Sequence, residues 1–142
     1  MASFSHTVTI PKPPAEVFPW LLEEDKVPRW TSRLKAYRVP DGAIGQGTRI
    51  HQVLTVGGSD LDLDLEITRY DPPRSAESRF STNGLDVETT YTLREAGGGT
   101  ELTQTLEGKA SGFKARLLVP VVQPKLESKL TEDLGRLREL LS

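Results

Sequence analysis

The middle of the chain alternates between apolar and polar residues, and the period of two predicts β-strands. The clearest run is Asp60 to Ile67, in which every second residue is leucine or isoleucine and every other one is acidic. Such a strand has one dry and one wet face, which is typical of an antiparallel sheet covered on a single side. The acidic side of this run is therefore interpreted as a solvated sheet face.

The alternation predicts seven strands separated by turn signals. The strands are Phe4–Ile10, Leu34–Val39, Thr48–Val56, Asp60–Tyr70, Ser75–Ser81, Asp86–Leu93 and Glu101–Glu107. The turn signals among them are Asp41-Gly42, Gly57-Gly58-Ser59, Asp71-Pro72-Pro73, Asn83-Gly84 and Gly97-Gly98-Gly99. Their close spacing favours hairpin connections between antiparallel neighbours.

Helical spacing replaces the alternation in two places. After the first strand, two short helices are predicted over Ala15–Leu22 and Glu24–Trp30, and a long one follows from a cap at Ser111 to the end of the chain. The long helix carries two apolar faces that are rotated away from each other. They are Phe113, Leu117 and Val121, and then Leu126, Leu130, Leu134, Leu137 and Leu141. A bend at Pro120 or Pro124 would let both faces be buried.

One long helix and a strand meander bury each other best when a curved sheet wraps around the helix, and this leaves a gap in which a ligand can sit. The inward phase of the strands mixes apolar with polar residues, and buried polar groups without partners cost about 1–3 kcal/mol each. The sequence therefore predicts a pocket for a mainly apolar ligand with a few polar atoms. Its predicted lining is Trp30, Ile50, Gln52, Leu54, Leu63, Leu65, Ser78, Phe80, Thr89, Tyr91, Gln104, Phe113, Leu117 and Val121.

Several motifs resemble one known group of proteins. They are Ile10–Phe18, Trp30, Gly45–Arg49, Tyr70–Arg74, Thr90–Leu93, Gly99–Thr103 and Gly112-Phe113 followed by Pro120. This order resembles the helix-grip fold of the START-like (SRPBCC) superfamily, in particular its bacterial polyketide cyclase/dehydrase and lipid-transport group. The resemblance implies an α+β fold over residues 1–142 as a single domain. A seven-stranded curved antiparallel sheet wraps around a long kinked C-terminal helix, and two short helices follow the first strand.

The resemblance implies binding of a small hydrophobic molecule such as a lipid, a polyketide or an isoprenoid-like compound. Three functions stay open: ligand binding or transport, a cyclase or dehydratase acting in the same cavity, and a structural or protein-interaction role. In the enzyme, Tyr91 or His6 would move protons, although no catalytic signature is recognised. In the third case, the long helix would contact a second copy in a homodimer.

Composition narrows the partners and the location. A net charge of -2 gives no reason to expect nucleic-acid binding, which calls for a basic face, and no apolar run is long enough to span a bilayer. The chain has no cysteine and no visible secretory signal, which fits the cytoplasm. No cofactor is expected. No metal site is expected either, because a shared site would need both histidines on one side of the sheet, and His6 and His51 have opposite strand phases. Four cations are predicted on the wet side of the long helix, namely Lys125, Lys129, Arg136 and Arg138.

Overall fold

The computed structural model describes residues 2–40, 43–56, 58–82 and 84–142. The predicted turns at Asp41-Gly42, at Gly57 and at Asn83 lie outside these residues. Within the described residues, no helix has both the length and the apolar composition needed to cross a membrane.

The strands are β1 (Ala2–Ile10), β2 (Leu34–Arg38), β3 (Arg49–Val56), β4 (Ser59–Asp71), β5 (Ser75–Thr82), β6 (Leu85–Ala96) and β7 (Gly99–Ala110). They form one antiparallel sheet in the order β1-β7-β6-β5-β4-β3-β2. All seven strands predicted from the alternation are present, and neighbours from β2 to β7 are consecutive in the chain. Strand β1 closes the far edge by pairing with β7, so that Ile10 lies opposite Thr100.

Short helices follow β1, as predicted, although the first is divided. Helix α1 spans Pro14–Val17, a 3₁₀ turn spans Phe18–Leu21, and helix α2 spans Val27–Trp30. Proline at the first or second position suits all three, because an N–H at the start of a helix has no helical acceptor. Their buried residues join the inward residues of the sheet in one core.

Helix α3 runs without a break over Phe113–Leu140 and contains both Pro120 and Pro124. The helix therefore continues through both prolines. The predicted cap at Ser111 is wrong. Gly112 holds the cap position with a positive φ of 88° and no side-chain hydrogen bond, and the Ser111 amide donates to the Gly84 carbonyl at 2.7 Å instead.

The second half of α3 buries its leucine face against the sheet, with Leu134 and Leu137 fully buried. The first apolar face of the helix points to solvent instead. Phe113 is 77% exposed, Leu117 60% and Val121 57%. The conflict between the two faces is thus resolved by leaving one uncovered.

Candidate functional site

A cavity of about 130 Å³ lies between the inner face of the sheet and the second half of α3. The 3₁₀ turn and α2 close it from the side. Its lining residues are Leu21, Leu22, Val27, Trp30, Thr31, Tyr37, Gln52, Leu54, Leu65, Ser78, Phe80, Val87, Thr89, Tyr91, Gln104, Leu106, Leu126, Lys129, Leu130 and Asp133.

The structure brings together nine of the fourteen residues predicted to line a pocket. These are Trp30, Gln52, Leu54, Leu65, Ser78, Phe80, Thr89, Tyr91 and Gln104. The inward phase of the strands accounts for eight of them, since alternate residues of a strand point to the same side. Trp30 comes instead from α2, where its Nε1 donates to the Trp20 carbonyl at 2.8 Å.

Five predicted residues do not line this cavity. Ile50 and Leu63 face inward, but neighbouring side chains cover them completely, so they belong to the solid part of the core. Phe113, Leu117 and Val121 are exposed, because the early turns of α3 turn their opposite side to the protein. Ala115, at 2% exposure, lies on that opposite side.

The cavity wall carries polar side chains that no protein group satisfies within the described residues. They are Gln52, Ser78, Thr89, Tyr91 and Gln104. Their side chains make no hydrogen bond to a described residue, and their polar atoms are not fully shielded from the cavity space. Tyr91 and Gln104 are cross-strand partners on β6 and β7, and Ser78 and Thr89 are partners on β5 and β6. Because these groups line an open space, water or a ligand has to satisfy them.

A buried ion pair on α3 forms the polar part of the opposite wall. The Lys129 Nζ lies 2.5 Å from Asp133 Oδ2, and their side chains are only 11% and 6% exposed. Asp133 Oδ1 also accepts from the Ser32 amide at 3.0 Å and lies 3.4 Å from Arg136 Nη1. Burial lowers the pKa of Lys129, although the adjacent Asp133 carboxylate opposes this shift.

The prediction of a wet cationic side of α3 is wrong for Lys129. Lys125, Arg136 and Arg138 are exposed, whereas Lys129 is drawn inward by Asp133. A signal for Asp133 was present in the sequence. At about 100° per residue, it falls at the edge of the stripe formed by Leu126, Leu130 and Leu137, about 20° beyond Leu126. A carboxylate at the edge of an apolar stripe, four residues after a lysine, indicates a partly buried pair.

The histidines occupy different sides of the sheet, as their strand phases predicted. His51 lies on the outer face, with Nε2 at 3.3 Å from Asp62 and Nδ1 at 3.2 Å from Asp64. His6 faces inward opposite Gln104 on the β1–β7 edge, but it is outside the set that lines the cavity. Proton transfer in the cavity would therefore have to come from groups other than His6.

A smaller cavity of about 50 Å³ adjoins the first. Val119, Val122 and Gln123 of α3 line it together with residues of β1, β6 and β7. It shares Val87, Leu106 and Leu126 with the main cavity. These shared side chains form a thin apolar partition between the two spaces.

A model of the family described as polyketide cyclase / dehydrase and lipid transport matches residues 1–142. The chain belongs to this family. The helix-grip architecture with a cavity between sheet and helix agrees with that membership. No curated protein matches the sequence.

Solved structures show the same fold as this polyketide cyclase/dehydrase family member. Ara h 8.0201 is 18% identical, with a TM-score of 0.77 over 99% of this chain and 97% of that chain. TTHA0849 from Thermus thermophilus is 19% identical, with a TM-score of 0.80 over 97% of this chain and 95% of that chain. The di-domain ARO/CYC StfQ from the steffimycin biosynthetic pathway is 11% identical, with a TM-score of 0.79 over 98% of this chain and 50% of that chain. At these identities the likeness shows the fold alone.

Two tyrosine hydroxyls in this family member have a pKa well above the ordinary tyrosine value. Burial raises the pKa of the Tyr91 hydroxyl, and the nearby Asp133 carboxylate raises it further. Burial also raises the pKa of Tyr37, whose hydroxyl donates to the Leu22 carbonyl at 2.7 Å. Both side chains therefore act as hydrogen-bond donors, not as phenolates, at neutral pH.

We expect the stability of the fold to fall steeply in alkaline solution. Above the ordinary tyrosine pKa of about 10, Tyr37 and Tyr91 ionise in the unfolded chain but stay protonated in the folded one. Each then removes about 1.4 kcal/mol of unfolding free energy per pH unit. The lowered pKa of Lys129 has the opposite sign and acts only below about pH 10.4, so the decline is measured above that value.

Urea unfolding at a series of alkaline pH values measures this slope. Tyr91→Phe is expected to make the slope shallower by one proton, and Tyr37→Phe/Tyr91→Phe by two. The comparison uses slopes, because the lost hydrogen bond to Leu22 changes the absolute stability of the second variant. An unchanged slope in both variants would contradict the assignment.

Proposed function

We propose that this chain binds a small, mainly apolar molecule that carries one or two polar atoms, in the cavity between the sheet and α3. The observation that supports this best is the set of unsatisfied polar side chains on an otherwise apolar wall. Ligand pockets combine these two features, since apolar area supplies affinity and a few polar groups fix orientation. Membership of the family supports the same class of ligand.

The size of the cavity limits what enters without rearrangement. An apolar cavity of about 150 Å³ accommodates benzene. A cavity of about 130 Å³ therefore suits a compact ring or a short branched chain. A lipid or a multi-ring polyketide fits only if α3 moves away from the sheet.

The polar end of the ligand is assigned to Tyr91. Its hydroxyl makes no hydrogen bond to the described residues, and its raised pKa keeps the proton available for donation. Gln104 lies directly across from it on β7 and offers both a donor and an acceptor. A ligand carbonyl or hydroxyl placed here satisfies groups that otherwise hold water.

We expect Tyr91→Phe to weaken binding of phenol about threefold to tenfold, because one buried hydrogen bond is lost. Binding of benzene, which has no hydroxyl, should not change. Isothermal titration calorimetry with both probes measures the difference. The matched control is Tyr70→Phe, because Tyr70 lies outside this cavity. Its ring packs edge-on against Phe18, with 5.6 Å between the two ring centroids.

Equal loss for both probes would mean that Tyr91 acts through packing alone. No binding of either probe, together with no co-purifying small molecule in native mass spectrometry, would contradict the proposed function. Native mass spectrometry of protein from its own host is also the direct route to the natural ligand.

A second candidate is a cyclase or dehydratase that uses the same cavity. The Tyr91 hydroxyl, the Lys129 amine and the Asp133 carboxylate line one cavity, which supplies proton donors and an acceptor. Burial lowers the pKa of Lys129 and so favours its neutral, basic form. The test is turnover of an aromatic polyketide precursor that Lys129→Met and Tyr91→Phe abolish and that His6→Ala leaves intact.

A further inference from the structure

The first half of α3 carries an uncovered apolar face. Phe113, Leu117 and Val121 follow one another at intervals of four residues and are 77%, 60% and 57% exposed. Pro120 and Pro124 are exposed on the same side of the helix. Such a continuous exposed stripe is unusual for a surface that meets only water.

Cations border this apolar face on both sides. Between Gly108 and Leu126 the chain contains four basic residues and no acidic one, although its net charge is -2. The four are Lys109, Lys114, Arg116 and Lys125, and all are exposed. At about 100° per residue, Lys114 and Lys125 project on one side of the stripe and Arg116 on the other. None of the four forms an ion pair with another described residue.

We propose that this face of α3 docks on the surface of an anionic lipid bilayer, with the helix axis parallel to the membrane. An apolar stripe bordered by lysine and arginine is the arrangement of helices that lie in the interface plane. The cations complement anionic headgroups, and the three apolar side chains reach the acyl boundary. A second copy of the same face fits less well, because the cations of the two copies would repel each other.

The inner side of the same turns lines the smaller cavity through Val119, Val122 and Gln123. Docking therefore places the membrane on the outer side of the same α3 turns whose inner side lines the smaller cavity, which Val87, Leu106 and Leu126 separate from the main cavity. Passage of an apolar ligand along this route rests on the proposed function, whereas docking itself does not.

Co-sedimentation with vesicles tests the docking. Wild-type protein should sediment with phosphatidylcholine vesicles that contain phosphatidylglycerol, and high salt should release it. It should stay in the supernatant with vesicles of phosphatidylcholine alone. The charge variant Lys114→Gln/Arg116→Gln/Lys125→Gln should bind about fivefold more weakly for each cation removed. Its matched control, Lys12→Gln/Arg38→Gln/Arg138→Gln, has the same net charge and should bind as the wild type does.

The apolar contribution is tested separately. Phe113→Gln/Leu117→Gln/Val121→Gln replaces exposed side chains by a good helix former, so the fold is expected to persist, and it should reduce partitioning at least about tenfold. Leu140→Gln is the control, since Leu140 is an exposed leucine at the other end of the same helix. Circular dichroism and phenol titration on each variant show whether fold and cavity are intact, independently of vesicle binding.

Three results would overturn the proposal. The first is wild-type protein that stays in the supernatant with phosphatidylglycerol vesicles at low salt. The second is binding by both triple variants at the level of their controls. The third is a homodimer, seen by light scattering, that the apolar variant dissociates while the wild type binds no vesicles, because this would assign the face to a second copy of the chain.

Discussion

Replacing Asp133 with asparagine is expected to destabilise the fold by about 3–5 kcal/mol, which is the usual cost of leaving one member of a buried pair uncompensated. Asparagine keeps the shape of the side chain and an oxygen that can accept from the Ser32 amide. What it removes is the charge opposite the Lys129 ammonium, which is almost completely buried. Urea unfolding at neutral pH measures the loss.

A double-mutant cycle identifies the cause. Lys129→Met/Asp133→Asn has no buried charge at this place and should recover most of the stability, because an apolar side chain can replace a buried ion with little net cost. Arg136→Gln is the matched control, since Arg136 is half exposed and lies farther from Asp133, at 3.4 Å. A double variant as unstable as Asp133→Asn would show that burial of the Lys129 charge is not responsible.

Gly84→Ala is expected to cost about 1–3 kcal/mol more than Gly58→Ala. Both glycines have a positive φ, 80° and 82°, so the intrinsic cost of a left-handed alanine is the same. They differ in surroundings. A Cβ on Gly84 would lie 2.6 Å from the Ser111 carbonyl oxygen and 3.3 Å from the Ala115 Cβ, whereas a Cβ on Gly58 meets no described atom within 4 Å.

Thermal or urea unfolding of the two variants gives the difference directly. The physical reason is that the β5–β6 hairpin packs its backbone on the start of α3, and a methyl group there has to push the two apart. Equal losses for the two variants would mean that the hairpin and the helix separate at little cost. The comparison thus also measures how firmly the first turn of α3 is held.

The sheet was predictable because its inner and outer faces differ along every strand. Ile50, Leu54 and Leu65 face inward for the same reason that Asp62 and Asp64 face outward. The alternation of the strands identifies the residues on the sheet side of the cavity, but it does not give the distance between the sheet and α3. Whether an inward side chain lines a space or is covered, as Leu63 is, depends on packing from elements far away in sequence.

The helical half of the site was harder to predict, because two opposite faces of α3 looked equally apolar. Burial of Leu134 and exposure of Leu117 are decided by which face meets the sheet. Asp133 is absent from the predicted lining, because the leucines beside it in the helix favour a purely apolar core stripe. Leu21 and Val27 of the short segments also line the cavity, and nothing in their spacing indicated it.

Both prolines of α3 lie in its first half, and each lacks the amide that would bond to the carbonyl four residues earlier. The carbonyls of Arg116 and Pro120 are therefore left without a helical donor, while the turns after Lys125 keep theirs. We expect amide hydrogen exchange to be fastest before Lys125 and slowest around Leu134. The upper limit on ligand size then follows from the free energy needed to loosen those early turns. A ligand too large for the cavity can still bind if its binding free energy exceeds that cost.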